Sequence, residues 1–297
     1  MSVTEPTRFQ VRVRAPIDEV WHALVDPGAL RTWLSEYAEV DLPSRYEFWG
    51  RYTPEGDRPR QRLLLADGKV LRFAWILGET ETVVEIALTE DGGETSLSFS
   101  QTGLPDYAAM LADPGSSLGM MYTFWALSVA NLVDHVEGRP LTARCDLTSP
   151  LMNEEVRIDA PRGEVYSSIA DPAVFTRWFG AHIEAETHVG GRWAMGSLEN
   201  DPEPAKIVDL VPDSKMSLAY EDGIVASWEL EESGGGTKLT FVQSGFSEGK
   251  PPYGMWMGWL SGLAELRRFH EVDPWLPIWV DVHLEGTPEG LIALDGK

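Results

Sequence analysis

The chain has 297 residues and a single cysteine, Cys145, so it holds no internal disulfide and no thiolate metal cluster. Lys plus Arg number 24 against 47 Asp plus Glu, and the formal charge of −23 repels nucleic-acid phosphates almost everywhere. No stretch reaches the roughly 18 to 20 apolar residues of a membrane helix, and Met1 to Phe9 lacks the basic-then-apolar order of a signal peptide, so the expectation is a cytoplasmic protein without nucleic-acid or membrane partners.

An internal repeat organises the sequence. Arg12 to Leu34 (RVRAPIDEVWHALVDPGALRTWL) matches Arg157 to Phe179 (RIDAPRGEVYSSIADPAVFTRWF) at a constant offset of 145, with 8 of 23 positions identical. The match resumes at Thr95 to Gly103 against Thr237 to Gly245, and again at Trp125/Trp259, Ala130/Ala264, Leu132/Leu266 and Glu137/Glu271. The offset shrinks along the chain, which places the length changes in loops. Two copies of one domain are expected, over 1–140 and 150–272, joined by a linker around Gly138 to Pro150 and followed by a tail, 273–297.

Each copy presents the same order of signals. Thr7 to Arg14 alternates Phe9, Val11 and Val13 with polar neighbours, as a half-buried strand does, and Val156 with Ile158 repeats the pattern. Pro16 and Pro161 stand where proline is tolerated at a helix start, and a short helix follows in each copy, ended by Asp26-Pro27 or Asp171-Pro172. Short alternating segments come next: Arg45 to Tyr52, Arg62 to Ala66, Val70 to Leu77, Thr82 to Thr89 and Thr95 to Gln101. Their counterparts include Gly191 to Met195, Ala205 to Leu210, Met216 to Tyr220, Val225 to Leu230 and Lys238 to Gln243. Glycine-rich turns at Asp91-Gly-Gly and Ser233-Gly-Gly-Gly support an antiparallel meander. A long amphipathic helix closes each copy, through Leu118, Met121, Trp125, Val129 and Leu132 in the first and Met255, Trp256, Trp259, Leu263 and Leu266 in the second. The tail carries Trp275, Ile278, Trp279, Val280 and Val282, too apolar to stay solvated, and is expected to pack back as a strand or lid.

The A-P-x-x-x-V-[WY] opening, the D-P-x-x-x-x-x-W turn and the tryptophan-bearing start of the last helix resemble the SRPBCC, or START-like, superfamily, and within it the Hsp90-ATPase-activator-homologue branch. The resemblance implies an α+β chain of two tandem helix-grip (START/Bet v1-like) domains, each a curved antiparallel sheet around a long C-terminal helix, enclosing a cavity for hydrophobic small molecules. It also implies a ligand-binding set at inward positions. In copy one these are Trp33, Phe48, Phe73, Trp75, Phe99, Met121 and Trp125. In copy two they are Trp178, Trp193, Met195, Tyr220, Trp228, Phe241, Met255, Gly258 and Trp259. Taken one at a time, the same residues favour an ordinary core over ligand contact. Gly254, Gly258 and Gly262 recur every four residues on the second long helix, where copy one has Met120, Phe124 and Ser128. They leave room either for a ligand, which would make copy two the roomier, or for a strand or the tail to approach closely.

Catalytic signatures are absent: no H-E-x-x-H, no C-x-x-C, no G-x-S-x-G elbow, no Walker loop and no dinucleotide fingerprint, so neither a metal nor a cofactor is expected. His182, Glu184, Glu186 and His188 alternate on one strand face, but copy one has Tyr37, Glu39, Asp41 and Pro43 there, which favours a solvated face over a base or metal site. Arg58, Arg60 and Arg62 sit beside Glu55 and Asp57 as a solvated loop rather than a docking site. His22 and His135 are expected on helix surfaces, and His270 near a helix end that favours positive charge. The leading expectation is therefore binding or sequestration of a hydrophobic small molecule. Tandem proteins of this kind resemble those encoded beside polyketide and enediyne antibiotic genes, which implies a role in biosynthesis or self-resistance. Two rivals stay open: a polyketide cyclase or aromatase using cavity polar groups, and a chaperone co-regulator docking on Hsp90.

Overall fold

The computed structural model describes residues 5–294, and the chain divides into two compact units. The first holds the described residues up to Ser149 with Pro252–Ser261 and Ile278–Thr287; the second holds Pro150–Pro251, Gly262–Pro277 and the described residues from Pro288. The units are therefore not contiguous in sequence, unlike the ranges 1–140, 150–272 and 273–297 that the repeat suggests.

The first unit begins with β1 (Thr7–Val13), whose Thr7, Phe9, Val11 and Val13 point inward. Pro16 leads into α1 (Ile17–Val25), and Asp26 then caps a second helix, α2 (Pro27–Trp33), by accepting the Ala29 N–H at 2.8 Å. Asp-Pro thus stops one helix and starts the next, where the sequence pattern pointed to one. A hairpin follows, β2 (Tyr37–Asp41) and β3 (Arg45–Trp49), and then β4 (Gln61–Ala66), β5 (Val70–Leu77), β6 (Thr80–Asp91) and β7 (Glu94–Gln101). A six-residue helix, α3 (Tyr107–Ala112), precedes the long α4 (Met121–Val136).

The second unit repeats this plan with β8 (Asn153–Ile158), α5 (Arg162–Ala170), α6 (Pro172–Phe179), β9 (Ile183–Ala185), β10 (Arg192–Met195), β11 (Ala205–Val211), β12 (Lys215–Ala219), β13 (Val225–Ser233) and β14 (Gly236–Ser244). The last helix, α7 (Tyr253–Glu271), is followed by β15 (Trp279–His283). Both main sheets are antiparallel, ordered β15-β1-β7-β6-β5-β4 in the first unit and β8-β14-β13-β12-β11-β10-β9 in the second.

The equivalence of the copies shows in hydrogen bonds that tie loop ends to strands. Thr95 Oγ1 donates to Ala15 O at 2.7 Å, and Thr237 Oγ1 to Ala160 O at 2.8 Å. The Trp33 indole donates to Ala23 O at 2.9 Å, and the Trp178 indole to Ser168 O at 2.8 Å. Glu137 accepts the Arg14 N–H and Glu271 the Asp159 N–H, both at 3.0 Å, fastening each long helix to the end of its first strand. All three devices satisfy backbone groups that a closed fold would otherwise strand.

One difference separates the two sheets. In the second unit Trp193 of β10 and Ala205 of β11 are ladder partners, and the sheet runs on unbroken into β9. At the corresponding place in the first unit, the side-chain carbonyl of Gln61 takes the Phe48 N–H at 3.2 Å. The amide occupies the donor a ladder would use, and β2–β3 stands as a separate hairpin.

The linker and the tail are both ordered by specific bonds. Arg144 donates to Arg31 O at 2.7 Å and Ser35 O at 2.6 Å while lying 4.1 Å over the Tyr52 ring, which holds the linker on the first unit. The tail supplies β15, which pairs with β1 at Arg8/His283 and Phe9/Val282. Further on, in the second unit, Leu291 O accepts the His182 N–H at 2.7 Å and Ala293 N–H donates to Gly180 O at 3.0 Å. Gly180 ends α6 at φ +76, which a side chain would resist, and Leu294 lies 3.1 Å from where a Cβ would stand.

Candidate functional site

In the first unit the inward faces of β1, β3, β5, β7 and α4 meet in one aromatic cluster. Trp33, Phe48, Phe73, Trp75, Phe99, Met121 and Trp125 are all buried there. Phe48 meets Phe73 edge-on at 5.8 Å and Trp75 at 5.1 Å; Trp125 lies 4.7 Å from Phe99 and 5.9 Å from Trp75. Edge-to-face contacts at these distances add to simple burial. A buried polar relay threads the cluster: Trp125 Nε1 donates to Gln101 Oε1 at 2.7 Å, Gln101 Nε2 to Thr82 Oγ1 at 2.9 Å, and Thr82 Oγ1 to Trp75 O at 2.9 Å. The Trp75 indole N–H, by contrast, meets no acceptor among the described residues.

In the second unit Phe175 is the hub. It lies 4.4 Å from Trp178, 5.9 Å from Trp193 and 6.4 Å from Trp228, and Trp228 in turn sits 5.0 Å from Phe241. Phe175 was not among the expected site residues, although its place in the D-P-x-x-x turn segment carries the signal. Met195 shares the strand face of Trp193 by period two, yet it is 42% exposed because it ends the short β10. It is therefore corrected from a lining residue to a surface one. Met255, Gly258 and Trp259, expected beside the second sheet, lie in the stretch Pro252–Ser261 that groups with the first unit.

The glycine stripe of α7 is explained by close approach to helical segments and a ring, not to a strand or the tail. A Cβ on Gly254 would stand 3.0 Å from Pro114 O, one on Gly258 would stand 3.3 Å from Thr123 Cγ2, and one on Gly262 only 2.8 Å from the Phe179 ring.

Two tyrosines stand out by their surroundings. Burial raises the Tyr122 phenol of α4 to about 12, and the ring packs edge-on against Phe9 at 5.4 Å. Burial likewise raises the Tyr220 phenol, just after β12, with the nearby Asp222 adding to it. Both side chains nevertheless retain accessible surface, and neither hydroxyl bonds to a described residue. The contrast is Tyr46, fully enclosed, whose hydroxyl donates to Leu24 O at 3.1 Å. Tyr122 lay outside the expected set because its helical stripe reads simply as core.

The polar strand near His182 is structural. Arg192 grips Glu186 at 2.7 Å and its own N–H adds a third bond, which lowers the Glu186 carboxyl to about 2. Glu184 accepts the Leu198 N–H at 2.9 Å, with His182 3.5 Å away. Among the described residues no group of His, Cys, Asp and Glu is arranged to hold a metal. Arg60 pairs with Glu55 and Asp57, and Arg62 with Glu81, as a solvated loop does. Burial lowers the pKa of both His135 and His270, outweighing the pull of Asp26 on the first and of Glu164 and Glu271 on the second. The Cys145 thiol, raised to about 12 by burial, is inert. Among the described residues no helix is long and apolar enough to cross a membrane.

A curved antiparallel sheet paired with a long closing helix, present twice, defines a tandem helix-grip protein. The chain belongs to the family described as activator of Hsp90 ATPase homolog 1-like proteins, whose profile matches residues 14–137 and again 159–271. Among solved structures, CalU16 from Micromonospora echinospora is 27% identical over 41% of this chain and 76% of its own, with a TM-score of 0.34. A protein from Bordetella parapertussis is 26% identical over 48% of this chain and 81% of its own, at a TM-score of 0.37. DynU16, from the dynemicin biosynthetic locus, is 19% identical and spans 90% of this chain and 99% of its own, at a TM-score of 0.35. No curated protein matches the sequence.

Proposed function

We propose that the protein binds and sequesters a hydrophobic polycyclic small molecule of polyketide or enediyne type inside its helix-grip units, in antibiotic biosynthesis or self-resistance. The observation that carries this reading is the pair Tyr122 and Tyr220. Each phenol is surrounded deeply enough for its acidity to fall, yet keeps open surface and an unused hydroxyl. A polar group of an ordinary core is satisfied; one that faces a space is available to a guest. Burying about 400 Å² of guest at about 25 cal/mol per Å² gives about 10 kcal/mol before association costs, enough for micromolar binding. Membership of the family and the DynU16 likeness at an antibiotic locus fit this setting. Docking on a chaperone draws on the family's name alone, and cyclase chemistry on the resemblance alone.

Titrating the intrinsic fluorescence of the 12 tryptophans with a panel of polycyclic polyketides and enediynes tests the proposal. Saturable quenching with the ligand recovered unchanged supports it. Absence of saturation across the panel overturns it, and conversion of a ligand to product replaces it with the cyclase reading.

A further inference from the structure

Gln61 opens β4 and stands opposite Trp75 of β5 in the ladder, so both side chains leave the same face of the sheet. That face is interior, with Trp75 fully buried and Gln61 9% exposed. The carbonyl end of the Gln61 amide is held by two main-chain donors, the N–H groups of Phe48 and Arg60, each at 3.2 Å. This fixes the amide plane and turns its NH2 away from them, and the NH2 donates to no described residue. Its neighbour, the Trp75 N–H, is also without an acceptor among the described residues. Phe48, Phe124 and Trp125 flank the Trp75 ring at 5.1, 5.8 and 5.9 Å. A fully buried indole N–H with nothing to donate to and, across the ladder from it, an unengaged amide NH2, set among aromatic rings, are the complement of an acceptor on a flat apolar guest.

We infer that Gln61 and Trp75 form a hydrogen-bond donor subsite of the first unit for the carbonyl or quinone oxygen of an aromatic ligand. The inference rests on the binding function proposed above. Neither group can accept, since the indole has no acceptor and the amide oxygen is engaged, so the guest supplies the lone pairs. The guest's oxygen is uncharged, because the two donors are themselves neutral and a carboxylate among rings loses its hydration uncompensated. The second unit lacks the pair: β12–β13 register puts Tyr220 at the place of Trp75, and β11 puts Ala205 at the place of Gln61.

Equilibrium dialysis of the full chain against fluorenone and fluorene, which share a shape and differ by one carbonyl, tests this. The parent protein is expected to hold fluorenone about tenfold more tightly than fluorene, the factor one net buried hydrogen bond supplies. Gln61→Leu and Trp75→Phe should each pull that fluorenone-to-fluorene ratio toward one, whatever each does to the affinity for fluorene itself, and the Trp75 indole N–H resonance should move with fluorenone only. Equal binding of both probes by the parent, or a ratio that neither variant moves, overturns the subsite and leaves the binding function standing. If neither probe binds, the subsite is overturned, while the binding function is decided by the polyketide and enediyne panel. Gln61→Leu carries the test should Trp75→Phe not fold.

Discussion

In the first unit Gln101 accepts the Trp125 indole N–H at its amide oxygen and donates its NH2 to Thr82 Oγ1, whereas register places Ile224 where Thr82 stands in the second. Trp75 gives way to Tyr220, Gln61 to Ala205, and a split sheet to a continuous one. Around these changes the Thr95/Thr237, Trp33/Trp178 and Glu137/Glu271 bonds agree within 0.1 Å. Duplication has kept the bonds that close the fold, because each serves a backbone group at a strand or helix end. It has rewritten the interior, where several residue sets satisfy the same volume. The two units therefore offer chemically different interiors on one scaffold.

If that division is right, the scaffold pairs must behave alike and the interior pairs must not. The largest effect is expected for Trp33→Ala and Trp178→Ala. Each removes a fully enclosed indole and should cost about 3–5 kcal/mol in urea unfolding. Losses differing by several kcal/mol would break the equivalence. Next comes Thr82→Ile, which imports the second unit's residue into the first and leaves the Gln101 amide and the Trp75 carbonyl unserved. A loss of about 1–3 kcal/mol is expected, read from the same unfolding curves.

Thr95→Val and Thr237→Val each delete one buried hydroxyl bond and should each cost about 1 kcal/mol, in equal measure. The smallest effect is a pH dependence. His270 has its pKa lowered chiefly by burial, against the opposing pull of Glu164 and Glu271. Its neutral form is favoured in the folded state, so its contribution is complete above the unfolded value of about 6.5 and is lost as pH falls through the lower folded value. His270→Gln should thus flatten the decline in unfolding midpoint as the pH falls below about 6.5. An unchanged slope would show that the ring is not desolvated.

Much of the scaffold was legible because its signals are local and repeated. Ala-Pro, Asp-Pro and the tryptophan seven residues past that aspartate announced strand exit, helix cap and packing anchor in both copies, and the cap is observed at Asp26 and Asp171. The lining was legible only as a composition of inward aromatics. Nothing local separates Met195, which is exposed at the end of a short strand, from Met121, which is fully buried. The Gly254, Gly258 and Gly262 spacing revealed that something comes close but not what, since Thr123 and Phe179 are remote in sequence. Gln61 was invisible for a similar reason. Its role depends on a strand partner, Trp75, and on two main-chain donors, none of which the sequence brings together.

The seating of β15 beside β1 has a consequence for biosynthesis of the chain. Arg8 and Phe9 leave the ribosome well before their partners His283 and Val282. The other strands of the first sheet can pair early, but one flank waits, unzipped and adhesive, until β15 has been made. A nascent product cut short before Trp279 would carry that flank bare, and synthesis through β15 becomes a condition for a quiescent surface.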